Sequence, residues 1–121
     1  MSEIVEKKWK YSIVLIQFPF ADELSQSKPR PALCLCEPVG KYNEIVVAFI
    51  SSKIPYQTLA TDFIFTKEME HFEVTGLSHN SVIRLHKIST VNAEIITQIF
   101  GRIEGVKNIK IIQQKLKNFF F

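Results

Sequence analysis

A chain of 121 residues with 46% hydrophobic and 22% charged residues is long enough for one real core and too apolar for a disordered or fibrous protein. Fifteen Lys and Arg against twelve Asp and Glu leave a net charge of +3, less than a dedicated duplex-binding domain usually carries but compatible with a polyanionic partner. The longest apolar runs, such as Ile45–Ile50, are too short to span a bilayer, and Met1-Ser2-Glu3 opens no basic-then-apolar leader, so one cytoplasmic domain over residues 1–121, with no membrane association, is expected.

Ser12–Phe18 is β-branched and apolar and reads as a first strand, stopped by Pro19. The eleven residues Pro19–Pro29 then join it to its expected neighbour, where a hairpin usually needs about two to five. Ser25, Gln26, Ser27 and Lys28 in this loop offer donors suited to phosphate and sugar oxygens; a lengthened surface loop with no ligand is the equal alternative. Arg30–Cys36 is the second strand, ended by the turn composition Glu37-Pro38-Val39-Gly40. At its entry Arg30 stands between two prolines. Each proline holds its own φ near about −65° and pushes its predecessor out of helix, so stiff backbone delivers the guanidinium. The plainer reading makes Arg30 a solvated charge at a loop end.

Glu44–Ser51 is a third strand whose continuous apolar character suggests burial on both faces. A loop over Ser52–Leu59 leads to a fourth strand, Thr61–Thr66, and a helical turn at Lys67–Phe72 precedes Gly76. Ser81–Val91 is a long fifth strand, and Asn92 is placed to cap a helix over Ala93–Phe100 with Ile95, Ile96 and Ile99 on one side. Beyond Gly101, Val106, Ile109, Ile112, Leu116 and Phe119 recur at helical spacing, while Lys107, Lys110, Lys115 and Lys117 form a solvated face. The sum is a mainly β chain with α elements: a small barrel or strongly curved sheet, short helices, and an amphipathic C-terminal helix.

Cys34 and Cys36 share one strand face, but two ligands make a poor zinc site and no histidine stands at finger spacing. Both read as small buried or half-buried hydrophobes, and no metal or cofactor is expected. Alternation puts His86 on the face of Arg84, with Lys87 opposite. An imidazole suits proton transfer if it faces a groove; a surface histidine on a mixed strand is the plainer reading. His71 and His79 receive no role. At least part of Phe119-Phe120-Phe121 is expected to pack on the barrel or across a dimer interface.

The succession Ile13–Phe18, a polar loop, Lys28-Pro29-Arg30-Pro31-Ala32-Leu33 and Ile45–Ile50 closing on Ser51 resembles the MazF/PemK family of toxin endoribonucleases. Gly76-Leu77, then Asn80-Ser81-Val82-Ile83-Arg84-Leu85 and Ile88-Ser89-Thr90-Val91, continue the likeness, which covers roughly Ser12 to Phe100. The resemblance implies an SH3-like barrel, a homodimer, and metal-independent cleavage of single-stranded RNA to 2′,3′-cyclic phosphate and 5′-hydroxyl ends, restrained by an antitoxin protein. It maps the catalytic arginine onto Arg30 and the catalytic threonine onto Ser51. Ser25, Gln26 and Lys28 of the loop, with Ser52, Arg84 and His86, are the expected RNA contacts. Three departures stand out: Tyr11-Ser12 replaces a Gly-acidic pair, serine replaces threonine at 51, and His86-Lys87 stands where an acidic residue or glutamine is frequent. They leave an alternative open, a catalytically impaired barrel that binds nucleic acid or a protein target, as a gyrase poison does. A purely structural homodimerising domain is the third reading.

Overall fold

The computed structural model describes residues 9–17 and 29–121. Six strands, β1 (Ser12–Gln17), β2 (Pro29–Cys34), β3 (Glu44–Ser51), β4 (Asp62–Phe65), β5 (Ser81–Asn92) and β6 (Ile96–Arg102), precede one helix, α1 (Val106–Phe120). They form a single antiparallel sheet in the order β4-β5-β3-β2-β1-β6. The segment 18–28, with most of the long loop and its Ser25, Gln26 and Lys28, lies outside the described residues.

Period-two alternation sends the side chains of the three central strands to opposite faces, and both faces are buried. Ile13, Leu33, Ala48 and Ile50 join Phe63, Phe65, Ile83 and Leu85 in one cluster, which α1 covers with Ile112. Val14, Ile16, Ala32, Cys34, Ile45 and Val47 form a second cluster with Val91. The double burial expected of β3 is therefore present. The cysteines behave as hydrophobes: Cys34 is buried, and half-buried Cys36 packs beside it, its Sγ accepting from Val46 N at 3.4 Å.

The helix expected over 93–100 is instead a turn and a strand. Asn92 does cap, its Oδ1 accepting from Glu94 N at 2.8 Å, but only the 3₁₀ turn Ala93–Ile95 follows. The chain then extends as β6 because β1 presents an open edge: Leu15 lies opposite Gln98 and Ile16 opposite Ile96. A ladder against that edge outweighs an eight-residue helix, which is marginal on its own. The stretch 67–72 does turn, with Met69 N donating to the Thr66 carbonyl at 3.0 Å and Phe72 N to the Met69 carbonyl at 3.2 Å, but the helical turn is the 3₁₀ turn that follows at Glu73–Thr75.

That turn, following edge strand β4, packs against the other edge strand, β6. The contact is made by backbone on backbone. A Cβ at Gly101 would run into the Val74 carbonyl, and one at Gly76 into the Phe100 carbonyl. Gly76 also needs φ 74°, a left-handed conformation open to glycine without strain. The sheet thus curls until its two ends meet, as in a small barrel.

Candidate active site

A cleft of about 770 Å³ opens where β2 and β3 part. Their pairing stops at Ala32 opposite Phe49, and the same register carried two residues further sets Arg30 opposite Ser51. Pro29 and Pro31 have no N–H to continue the ladder, so the strands separate there while β2 stays paired to β1. Arg30 continues the face of Ala32 and Cys34, and Ser51 the face of Val47 and Phe49, which puts both on one side of the sheet.

Arg30 is not a loop-end charge in water. Its side chain is half-buried and its Nε is buried, consistent with a guanidinium delivered by stiff backbone. Ser51 Oγ accepts from Lys53 N at 3.0 Å, which leaves its own proton free to be donated. Ser52 and Lys53 complete this lip of the cleft.

The opposite wall is the segment from Gly76 to Ser81, with Phe100 at the base. It is tied down at several points. Leu77 N donates to Thr75 Oγ1 at 3.1 Å, Ser81 Oγ to the His79 carbonyl at 2.9 Å, and Lys67 N to Asn80 Oδ1 at 2.7 Å. Among the described residues lining the cleft the charged groups are Arg30 and Lys53, with no Asp or Glu, so the lining suits an anion.

The cleft therefore gathers Arg30, Ser51 and Ser52 from the sequence expectations. It does not include Arg84 or His86. Arg84 Nε donates to buried Asp62 Oδ1 at 2.9 Å, and His86 Nδ1 lies 2.7 Å from Thr61 Oγ1, both toward β4. Sequence reasoning passed over Lys53, Ser78, His79 and Ser81; the run from Gly76 to Ser81 was noted only as a likeness, and its place against β2 depends on the curl of the sheet. Phe100, expected in core or interface, lines the cleft while packing on the first cluster. Among the described residues no group of three or more His, Cys, Asp or Glu side chains is arranged to hold a metal ion.

The family described as "PemK-like, MazF-like toxin of type II toxin-antitoxin system" matches residues 10–120. The chain belongs to that family. Among solved structures, the Mycobacterium tuberculosis toxin MazF-mt6 is similar, with a TM-score of 0.67 and 21% identity over 90% of this chain and 95% of that one. An endoribonuclease in complex with its cognate antitoxin, from a mycobacterial species, gives a TM-score of 0.63 at 10% identity over 93% of each chain. An endoribonuclease from a mycobacterial species gives 0.60 at 11% identity over 95% of this chain and 93% of that one. No curated protein matches. At these identities the structures establish a shared MazF-like fold: a six-stranded antiparallel sheet with one C-terminal helix.

Within this PemK/MazF-like fold, the departure at Tyr11 lies against α1 and does not line the cleft. Tyr11 adopts φ 71°, a left-handed conformation that costs a residue with a Cβ about 1 kcal/mol or more. The offset is visible: its ring packs on the first cluster and its hydroxyl accepts from Gln113 Nε2 at 3.0 Å. In this toxin-family chain the side chain of Tyr11 thus serves as an anchor on the helix.

Proposed function

We propose that this protein is a toxin endoribonuclease of the cytoplasm that cleaves single-stranded RNA without a metal, acts as a homodimer, and is held in check by a cognate antitoxin. The observation that carries the reading is the cleft in which Arg30 and Ser51 face each other across parted strands, with Lys53 beside them. In the reaction the ribose 2′-oxygen bonds to the adjacent phosphorus and the bond from phosphorus to the 5′-oxygen breaks. The products are a 2′,3′-cyclic phosphate and a 5′-hydroxyl. The substrate brings its own nucleophile, so the protein has to stabilise charge on the phosphoryl oxygens and manage two protons. The planar Arg30 guanidinium offers two parallel hydrogen bonds to those oxygens and has no acceptor, which suits electrostatic stabilisation. Ser51 donates to a phosphoryl oxygen or to the leaving 5′-oxygen. Ser52 and Lys53 hold neighbouring phosphates, while Ser25, Gln26, Lys28, Arg84 and His86 stand as further RNA contacts on the strength of the family resemblance alone.

The test is incubation of the purified protein with a long single-stranded RNA in EDTA, followed by mapping of the ends. Cleavage with 5′-hydroxyl ends is expected, and Arg30→Ala should lower the rate by at least about 10²-fold while leaving the thermal transition nearly in place. RNA bound but uncut by well-folded wild-type protein would instead favour the catalytically impaired barrel.

A further inference from the structure

Among the described residues lining the cleft, side-chain donors outnumber basic acceptors. Arg30 and Lys53 are cations that can only donate, and Ser51 Oγ already accepts from Lys53 N. Serine hydroxyls are too weakly basic to take a proton near neutral pH. Yet attack by the 2′-hydroxyl requires that its proton go somewhere. Among the described residues lining the cleft, His79 is the single side chain of a type that accepts a proton in that range.

We propose, building on the ribonuclease reading, that His79 is the general base that takes the 2′-hydroxyl proton. Its Nδ1 lies 2.9 Å from Ser78 Oγ. With the imidazole proton on Nδ1 donated to that oxygen, Nε2 is left as the acceptor, the division of roles a general base needs. The bonds of Ser81 Oγ to the His79 carbonyl and of Lys67 N to Asn80 Oδ1 hold this stretch in place, and the close approach of Gly76 to the Phe100 backbone anchors its start. The step balances without a co-reactant. The 2′-proton passes to Nε2 as the bond from the 2′-oxygen to phosphorus forms, and the 5′-oxygen leaves with a proton from water, directly or relayed through the Ser51 hydroxyl, which regains its own proton from that water. The imidazolium then returns its proton to solvent. Among the described residues the charged groups sharing the cleft with His79 are Arg30 from β2 and Lys53 beyond β3, both cations.

The experiment measures single-turnover cleavage of a defined RNA oligonucleotide from pH 5 to 9 for the wild type, His79→Gln and His79→Ala, with thermal melts of each. The wild-type rate should show a limb that falls on the acid side, because a protonated Nε2 cannot accept. His79→Gln should lose about 10²- to 10⁴-fold at pH 7.5 together with that acid limb, and added imidazole should restore part of the rate of His79→Ala. A variant with wild-type rate and pH profile overturns the base assignment and leaves the ribonuclease reading intact. So does a slow variant that keeps the acid limb and ignores imidazole, which would make His79 a positioning residue. RNA left whole by the wild type overturns both readings.

Discussion

At the scale of single residues, the pair of Asp62 and Arg84 shows how one contact sets the role of a charged side chain. The Asp62 carboxylate is fully buried; Oδ1 accepts from Arg84 Nε at 2.9 Å and Oδ2 from Leu59 N at 2.8 Å. Removing the guanidinium strands a charge in apolar surroundings, so Arg84→Ala should destabilise the fold by about 3 kcal/mol, read from the denaturant midpoint. A change below about 1 kcal/mol would mean that the pair is not structural. Cys34 gives a pH signature. Burial, with Cys36 and Glu37 adding to it, pushes its thiol up from 9.0 to about 12. Between those values the folded chain keeps a proton that the unfolded chain releases, so stability present below pH 9 is lost as pH rises towards 12. The melting temperature should fall across that window, and Cys34→Ala should flatten the fall. In the folded protein at pH 8 the Cys34 thiol should also resist alkylation until the chain unfolds.

At the scale of elements, the seam between the turn Glu73–Thr75 and β6 is the contact that shapes the cleft. Gly101→Ala drives a methyl group into the Val74 carbonyl, and backbone cannot move aside as a flexible side chain can. A loss of about 2–3 kcal/mol is expected in chemical denaturation, with a lower RNA-cleavage rate in the folded fraction because the wall carrying His79 is displaced. Undiminished stability would show that the seam yields. The same seam explains which elements were legible beforehand. β1 to β5 and α1 follow from strong local patterns: the β-branched, apolar run Ile13 to Ile16, the apolar run of β3, and the spacing of Ile109, Ile112 and Leu116, which pack on the first cluster. The stretch 93–100 carries apolar residues at both helical and extended spacing. What decides it is the open edge of β1, a partner more than seventy residues away in sequence. Lys115, read as part of a solvated face, reaches instead to the Ala60 carbonyl at 2.9 Å and ties α1 to the approach of β4.

At the scale of the whole molecule, the end of α1 remains uncovered. Phe119 and Phe120 are half exposed and Phe121 fully so, with the rings of 119 and 120 edge to face at 5.0 Å. Part of this group was expected on the barrel or at a dimer interface; among the described residues it stays largely in solvent, and the homodimer proposed above would put it at the interface. Deleting residues 119–121 should shift the sedimenting species from dimer to monomer and lower the melting temperature. An unchanged mass and melt would defeat that prediction. The sequence by itself determined the strand pattern, the amphipathic helix, the stiff mounting of Arg30 and the hydroxyl of Ser51, because each is a local matter of periodicity, proline geometry and side-chain chemistry. Tertiary structure alone decided that Arg30 and Ser51 line one cleft. It also turned Arg84 and His86 toward β4 and brought the histidine at 79, which carried no role in the sequence reading, into the lining of that cleft. Those outcomes depend on register and on the closing of the sheet upon itself, and both are set by contacts between segments far apart in the chain.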